Sequence, residues 1–138
     1  SVVKKYIYLF SNLSIDNINE FDDIISKDII FIDPFNNIKG IDAFKNIFYH
    51  MFKNVKEPKF FILDYSINKQ RVFLKWKMTF FAFKSLQTIE GMSELVLNDA
   101  GKVASHIDYW DSLNGIFIKI PFIGYFYKIS LFLFKSKT

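Results

Sequence analysis

Residues 101–115, GKVASHIDYWDSLNG, predict the strand around which the chain is organised. The stretch opens with a tight turn and continues as an extended run, in which successive side chains face opposite sides of a sheet. His106, Asp108 and Trp110 therefore share one face. An imidazole, a carboxylate and an indole are unusual core residues, so this face lines a pocket if it is concave. The alternative is that His106 and Asp108 form a buried pair whose members satisfy each other by hydrogen bonding.

The composition is that of one globular domain with an aromatic core. The chain has 138 residues, of which 51% are hydrophobic and 18 are Phe. Such a chain is too apolar to be disordered and long enough to bury a core. Its 18 basic residues outnumber its 14 acidic residues only slightly, and they are scattered along the chain. Because nucleic-acid surfaces concentrate basic side chains on one face, no nucleic-acid partner is expected.

Residue types that bind metals are scarce in this chain. It has no cysteine, which excludes disulfides and thiolate metal sites, and its two histidines are His50 and His106. We therefore expect neither a metal nor a cofactor. The expected location of the protein is the cytoplasm.

The first part of the chain has the apolar spacing of three helices. Residues 2–13 carry one buried stripe at helical spacing. A second helix follows a capping-box pattern formed by Asn17 and Glu20, and its inward residues are predicted to be Ile18, Phe21, Ile24 and Ile25. A third helix is predicted over about 41–52, with one apolar face formed by Ile41, Phe44, Ile47, Phe48 and Met51. His50, late in this helix, is predicted at the surface or in the C-terminal turn.

The dipeptide Asp33-Pro34 follows a short β-branched run at 29–32. The residue before a proline is disfavoured in helical geometry, so Asp33 is predicted at a strand end or in a turn. There it can contact a ligand. The structural alternative is a turn carboxylate that caps the loop before Gly40.

After Pro58 the apolar period changes from 3.6 to 2, which predicts long strands. On the second of them, Trp76 and Met78 face the buried side. The third covers about 86–97, and a turn at 98–101 leads into the fourth. Short turns between long strands predict a meander. The predicted fold class is therefore α+β: a curved antiparallel sheet, with about four long strands and a short one, wrapped over three N-terminal helices.

The end of the chain, 116–138, is predicted to be an apolar helical extension of the domain formed by 1–115. A transmembrane helix needs about 20 predominantly apolar residues. Because Lys, Pro and Gly interrupt the apolar run, it is a poor candidate for a membrane span. We predict that it docks on the domain or contacts a second copy. Contact with a membrane surface is the less favoured alternative.

The order of these motifs resembles that of the nuclear transport factor 2-like superfamily, and within it the SnoaL-like and ketosteroid-isomerase-like branch. The resemblance covers residues 2 to about 115. Its motifs are IDPF at 32–35, Gly40 with the helix that follows, and DYWD at 108–111. It implies a cone in which helices and a curved sheet enclose a deep apolar pocket. That fold serves isomerases, hydrolases, cyclases and non-catalytic binders.

The resemblance to ketosteroid isomerases implies roles for three residues. In those enzymes an aspartate before a proline is the general base, and Asp33 holds that position. Tyr6 corresponds to the tyrosine that stabilises the enolate oxygen, although its spacing to Asp33 is three residues longer. Ser93 stands where the family has an acidic hydrogen-bond donor. This departure predicts a weaker oxyanion site.

The resemblance to SnoaL-type cyclases implies a second candidate base. In those enzymes a carboxylate on the sheet is the acid–base catalyst, a role that falls on Asp108. His106 is then its polar partner. The residues predicted to bind the substrate are Trp110, Trp76, Met78, Ser93 and Phe35.

Two functions fit these expectations. The first is an acid–base enzyme resembling steroid delta-isomerase, or a cyclase, that transfers a proton on a polycyclic or lipid-like substrate. The second is a non-catalytic binding protein for a hydrophobic ligand, associated with a membrane through its tail. A protein-interaction module has the least support. A homodimer through the outer sheet face is also expected, because Phe73, Phe81 and Phe83 are otherwise exposed there.

Overall fold

The computed structural model describes residues 1–115 and 132–133. It contains helices α1 (Val2–Ser11), α2 (Ile41–Asn54) and α3 (Ser112–Gly115), with a 3₁₀ helix at Ile18–Asp23. The strands are β1 (Ile25–Ile32), β2 (Asn37–Lys39), β3 (Lys56–Asn68), β4 (Arg71–Ala82), β5 (Ser85–Leu97) and β6 (Val103–Tyr109). The predicted α+β class is confirmed. The predicted extension at 116–138 lies outside the described residues, apart from 132–133.

The six strands form one curved sheet in the order β2-β1-β6-β5-β4-β3. Strands β3 to β6 make the predicted antiparallel meander. Strand β1 differs from the prediction because it runs parallel to β6. A parallel pair needs a long connection, and here the chain from β2 to β5 supplies it. The pairing places Phe31 directly beside His106.

The second predicted helix is a short 3₁₀ helix. Ile18 and Phe21 are buried within it, as the pattern predicted. Ile25, which the pattern assigned to the helix, already belongs to β1. β-branched residues lose side-chain freedom in a helix and pack well on a pleated surface. The concentration of isoleucine in this segment therefore favours an earlier start of the strand.

An aromatic core holds the helices against the sheet. Phe10, Phe21, Phe44 and Phe48 form a closed ring of contacts, with centroids 5.1–5.4 Å apart at steep interplanar angles. Each such pair contributes about 0.5–1.5 kcal/mol beyond the burial of its area. These contacts fix α1, the 3₁₀ helix and α2 relative to one another. As a result, Tyr6 on α1 is held against β6, where it contacts His106.

The outer face of the sheet leaves several large apolar side chains exposed. Phe61, Phe73, Phe81, Met92 and Tyr109 are each at least 37% accessible. The homodimer through this face stays a prediction. In the part of the chain that the structure describes, no helix combines the length and the apolar character needed to cross a membrane.

Candidate active site

A cavity of about 610 Å³ lies between α2 and the inner face of the sheet. This volume is within the range of small-molecule sites, roughly 300–1,000 Å³. Apolar side chains make up most of its described wall, among them Phe31, Phe48, Met51, Trp76, Met78 and Ile89. Two carboxylates, those of Asp33 and Asp108, also line it. The cavity therefore brings both candidate bases to one apolar chamber.

Asp108 is the end point of a chain of hydrogen bonds. Ser93 Oγ donates to Asp108 Oδ1, and Trp76 Nε1 donates to Ser93 Oγ at 2.8 Å. On the other side, His106 Nε2 lies 2.6 Å from the same Oδ1. Tyr6 Oη lies 2.5 Å from His106 Nδ1. Within the described residues, every hydrogen bond to the Asp108 carboxylate thus ends on Oδ1.

The sheet register builds this arrangement. Alternation along β6 turns His106, Asp108 and Trp110 to the inner face, as predicted. Ser93 on β5 lies directly opposite Asp108, so their side chains meet on one face of the antiparallel pair. Phe31 on β1 flanks His106, with ring centroids 4.8 Å apart. The imidazole is therefore held in place by packing as well as by hydrogen bonds.

The buried tyrosine favours one tautomer of a neutral His106. Burial, and then the negative charge of Asp108, raise the pKa of Tyr6 well above its ordinary value of 10.0. Tyr6 therefore keeps its hydroxyl proton and can donate it to Nδ1 of a neutral His106. A neutral imidazole that accepts at Nδ1 carries its own proton on Nε2. That proton is then directed at Asp108 Oδ1.

The Tyr6 hydroxyl is expected to stay protonated until the protein unfolds in alkali. Because its pKa is raised in the folded state, Tyr6 stabilises the fold below about pH 10, and this contribution is lost as the pH rises further. The measurement is tyrosinate absorbance against pH for the wild type, which has 7 tyrosines, and for Tyr6→Phe. Below the unfolding transition the two amplitudes should be equal. A smaller amplitude for Tyr6→Phe would contradict the assignment.

Asp33 lines the cavity, but its carboxylate is engaged by its own turn. Asp33 Oδ1 accepts from the backbone N–H of Phe35 at 2.8 Å and from that of Asn36 at 2.7 Å. The Asn36 side-chain amide lies 3.1 Å from both carboxylate oxygens. This is the geometry of the structural alternative, a carboxylate that caps the loop. The role of Asp33 as a base stays a prediction.

The other predicted site residues divide into three groups. Trp110, Phe35, Met78 and Trp76 line the large cavity, and the rings of Phe35 and Trp110 meet edge to face, with centroids 5.6 Å apart. A smaller recess of about 40 Å³ is lined by polar groups from Ser93, His106 and Asp108 and by phenylalanines. Tyr6 lines neither space, because it lies behind His106. The Ser93 hydroxyl directs its proton at Asp108.

Comparison with known proteins identifies the family. A model of the SnoaL-like domain matches residues 6–106. The chain belongs to this family. The match spans the segment from Tyr6 to His106, so it includes both members of the short hydrogen bond described above. None of the curated proteins matches this SnoaL-like chain.

Solved structures confirm the nuclear transport factor 2-like fold of this SnoaL-like protein. A nuclear transport factor 2-like protein from Exiguobacterium sp. 255-15 is 20% identical, with a TM-score of 0.68 over 80% of this chain and 98% of its own. A protein from Jannaschia sp. CCS1, assigned as a SnoaL-like polyketide cyclase, is 13% identical, with a TM-score of 0.67 over 82% and 87%. An epoxide hydrolase of the LEH-like type from M. tuberculosis is 14% identical, with a TM-score of 0.65 over 87% and 92%. At these identities the similarity establishes the fold.

Helix α2 contributes more of the SnoaL-like cavity than the sequence pattern indicated. Asn46, Ile47, His50 and Met51 line the wall. The pattern predicts Ile47 and Met51 on the apolar face and His50 at the surface or in the C-terminal turn, and His50 is indeed exposed. The signal was present, because Ala43 and these four residues recur every three to four positions and so form one helical stripe. A stripe beside a cavity has the same period as a stripe beside a core.

Gly91 on β5 allows Trp76 to reach Ser93. The two residues are cross-strand partners, and the Trp76 indole covers the glycine. A Cβ added at Gly91 would lie 2.5 Å from Trp76 Cζ2 and 2.9 Å from the backbone oxygen of Tyr109. The backbone atom cannot move away easily. A side chain at this position would therefore displace the indole.

The substitution Gly91→Ala is expected to lower the free energy of unfolding by about 1–3 kcal/mol, as overpacking does. Gly115→Ala is the matched control, because its Cβ would meet Trp110 and Ile89 at ordinary contact distances of 3.4 and 3.5 Å. The measurement is denaturant unfolding of both variants, followed by tryptophan fluorescence. Equal stabilities for Gly91→Ala and the wild type would show that the indole is not confined in this way.

Proposed function

We propose that this SnoaL-like protein is an acid–base enzyme that transfers a proton on a hydrophobic small molecule, with Asp108 as the general base. One observation carries the proposal: the Asp108 carboxylate lines an apolar cavity of about 610 Å³ while its hydrogen bonds end on Oδ1. The fixed oxygen orients the carboxylate. The second oxygen is left to accept a proton from a bound molecule.

The chemistry is a proton transfer at a carbon next to a carbonyl group. The Asp108 carboxylate accepts the proton, and the electron pair of the broken C–H bond moves onto the carbonyl oxygen to give an enolate. Return of the same proton to another carbon completes an isomerisation with no change in composition. A carboxylate is a competent base for this step when water is excluded and the geometry is held. His106 and Ser93 hold the Asp108 carboxylate in its orientation.

The enolate oxygen needs hydrogen-bond donors from another part of the wall. Tyr6 is not available, because its hydroxyl is directed at His106. Among the described residues of the wall, Asn46 and His50 on α2 carry polar side chains that can donate. We assign the stabilisation of the developing charge to this side of the cavity.

The cavity favours a polycyclic or lipid-like substrate. Its wall is mainly aromatic and aliphatic, and its volume accommodates a molecule of drug-like size. The names of two structural relatives, a polyketide cyclase and an epoxide hydrolase, are consistent with small organic substrates in this fold. The alternative, a binding protein that holds such a ligand without reaction, uses the same apolar wall.

The deciding experiment measures binding and proton exchange separately. Polycyclic ketones with an acidic proton next to the carbonyl are screened for binding by quenching of tryptophan fluorescence, because Trp76 and Trp110 line the cavity. Those that bind are incubated with the protein in deuterated water, and deuterium uptake at carbon is followed by mass spectrometry. Uptake that depends on Asp108 supports the enzyme. Binding without uptake for every ketone contradicts it and favours the binding protein.

A further inference from the structure

The turn between β4 and β5 has a backbone conformation that its residues do not favour. Phe83 and Lys84 form a two-residue hairpin loop, and their φ angles are +54° and +66°. Such a turn normally takes Asn and Gly, because a Cβ is disfavoured at positive φ. The residues at this tip are therefore poorly suited to the turn itself. This suggests that their side chains serve another purpose.

A buried side chain braces the strained turn. Gln87, which is buried, donates from Nε2 to the backbone oxygen of Ala82 at 3.0 Å and to Ser85 Oγ at 2.8 Å. These bonds tie together the two residues that flank the loop. The base of the loop is consequently held by these side-chain hydrogen bonds as well as by the pairing of the two strands.

The tip displays apolar and basic side chains side by side. Phe81, Phe83 and Leu86 are 42%, 50% and 55% exposed. Lys84 stands in the loop, and Lys56 lies directly opposite Phe81 on β3. Two further exposed lysines lie close along the chain, Lys53 at the end of α2 and Lys59 on β3, with one acidic residue, Glu57, among them. Within the described residues, none of these four lysines forms an ion pair.

We propose that this β4–β5 tip binds the surface of an anionic lipid membrane, and that Phe81 and Phe83 therefore do not pack in the homodimer contact expected from the sequence. Aromatic and aliphatic side chains enter the boundary between headgroups and acyl chains, while lysines around them are attracted to anionic headgroups. The four lysines and the single glutamate named above give this part of the surface a positive charge, which provides the charge complementarity. A turn whose flanking residues are already held by hydrogen bonds also loses less conformational freedom when it binds.

The tip lies at an end of the sheet close to the cavity. Met78 and Ile89, which line the cavity, are cross-strand partners on the same two strands. They lie four residues back from the flanking pair Ala82 and Ser85, a distance of about 13 Å along the strands. A protein bound to the membrane by this tip would thus have its cavity near the lipid phase, in which hydrophobic compounds dissolve. The proposal stands whether or not Asp108 catalyses a reaction.

The test is sedimentation of the full chain with vesicles of phosphatidylcholine containing about 30% phosphatidylserine, and with vesicles of phosphatidylcholine alone. The variant Phe83→Asn/Lys84→Gly installs residues that suit the turn, so it should fold at least as well as the wild type. It removes the aromatic anchor and one charge. Lys69→Gly is the matched control, because it removes one charge from the β3–β4 turn at the opposite end of the sheet, where Lys69 also has positive φ (+58°).

The wild type and Lys69→Gly are expected to bind the anionic vesicles. The double variant is expected to bind them at least about tenfold more weakly. Binding should fall with added salt. The proposal is overturned if the wild type binds neither kind of vesicle, or binds both equally. It is also overturned if the double variant binds as well as the wild type. A different result would be that the wild type binds no vesicles and is a dimer by light scattering, whereas the double variant is a monomer. That result would show that the tip contacts a second copy of the chain.

Discussion

Asp108→Asn is expected to lower the rate of deuterium uptake by a bound ketone about 10²–10⁴-fold, which is the usual contribution of a positioned acid–base group. The asparagine has the same shape and keeps an oxygen that accepts from Ser93, but it cannot take up a proton. Affinity for the ketone, measured by tryptophan quenching, should change much less than the rate. The result expected for an enzyme is therefore a loss of rate with binding retained.

Asp33→Asn is the control for this experiment, because Asp33 lines the same cavity. Its carboxylate accepts hydrogen bonds from the backbone of its own turn. The substitution is expected to destabilise the loop by about 1 kcal/mol and to leave most of the activity. If Asp33→Asn abolishes deuterium uptake and Asp108→Asn does not, the base is Asp33 and our assignment is wrong.

His106→Leu is expected to lower the free energy of unfolding by about 2–4 kcal/mol. The leucine leaves the buried Tyr6 hydroxyl without its partner and removes one of the two donors to Asp108, and each unsatisfied buried group costs about 1–3 kcal/mol. The measurement is urea unfolding at neutral pH. A loss well below 1 kcal/mol would mean that His106 fills space only.

A double-mutant cycle separates the hydrogen bond from the packing. In Tyr6→Phe/His106→Leu the unpaired hydroxyl is absent. The double variant should therefore lose about 1 kcal/mol less free energy of unfolding than the sum of the losses in the two single variants. Strictly additive effects would contradict the coupling between Tyr6 and His106. Because Tyr6 lies outside the cavity, Tyr6→Phe should change ketone affinity little.

The sheet was predictable from the sequence, because side-chain direction in a strand is a local property. The alternation that turned His106, Asp108 and Trp110 to one face depends only on the pleat. The same rule placed Trp76 and Met78 on the inner side. The family resemblance rested on the order of such local motifs, and the domain match and the structural relatives confirmed it.

The roles within the site were less predictable, because they depend on contacts between distant parts of the chain. The sequence showed that Asp33 precedes a proline, but it did not show that two backbone N–H groups occupy its carboxylate. It placed Tyr6 on a buried stripe, whereas the hydroxyl's partner, His106, lies 100 residues away. The parallel pairing of β1 with β6 is likewise set by the whole sheet and not by either strand.

That pairing has a consequence for folding. Strand β1 meets β6 only after the entire meander has been synthesised, and Tyr6 reaches His106 over nearly the full length of the domain. Closing such long loops is slow compared with forming hairpins between neighbouring strands. The meander of β3 to β6 is therefore expected to form first, and the contact between Tyr6 and His106 last. A partly folded chain would have Ser93 and His106 beside Asp108 but no Tyr6 hydroxyl behind His106, so activity regained during refolding should lag behind the recovery of β structure.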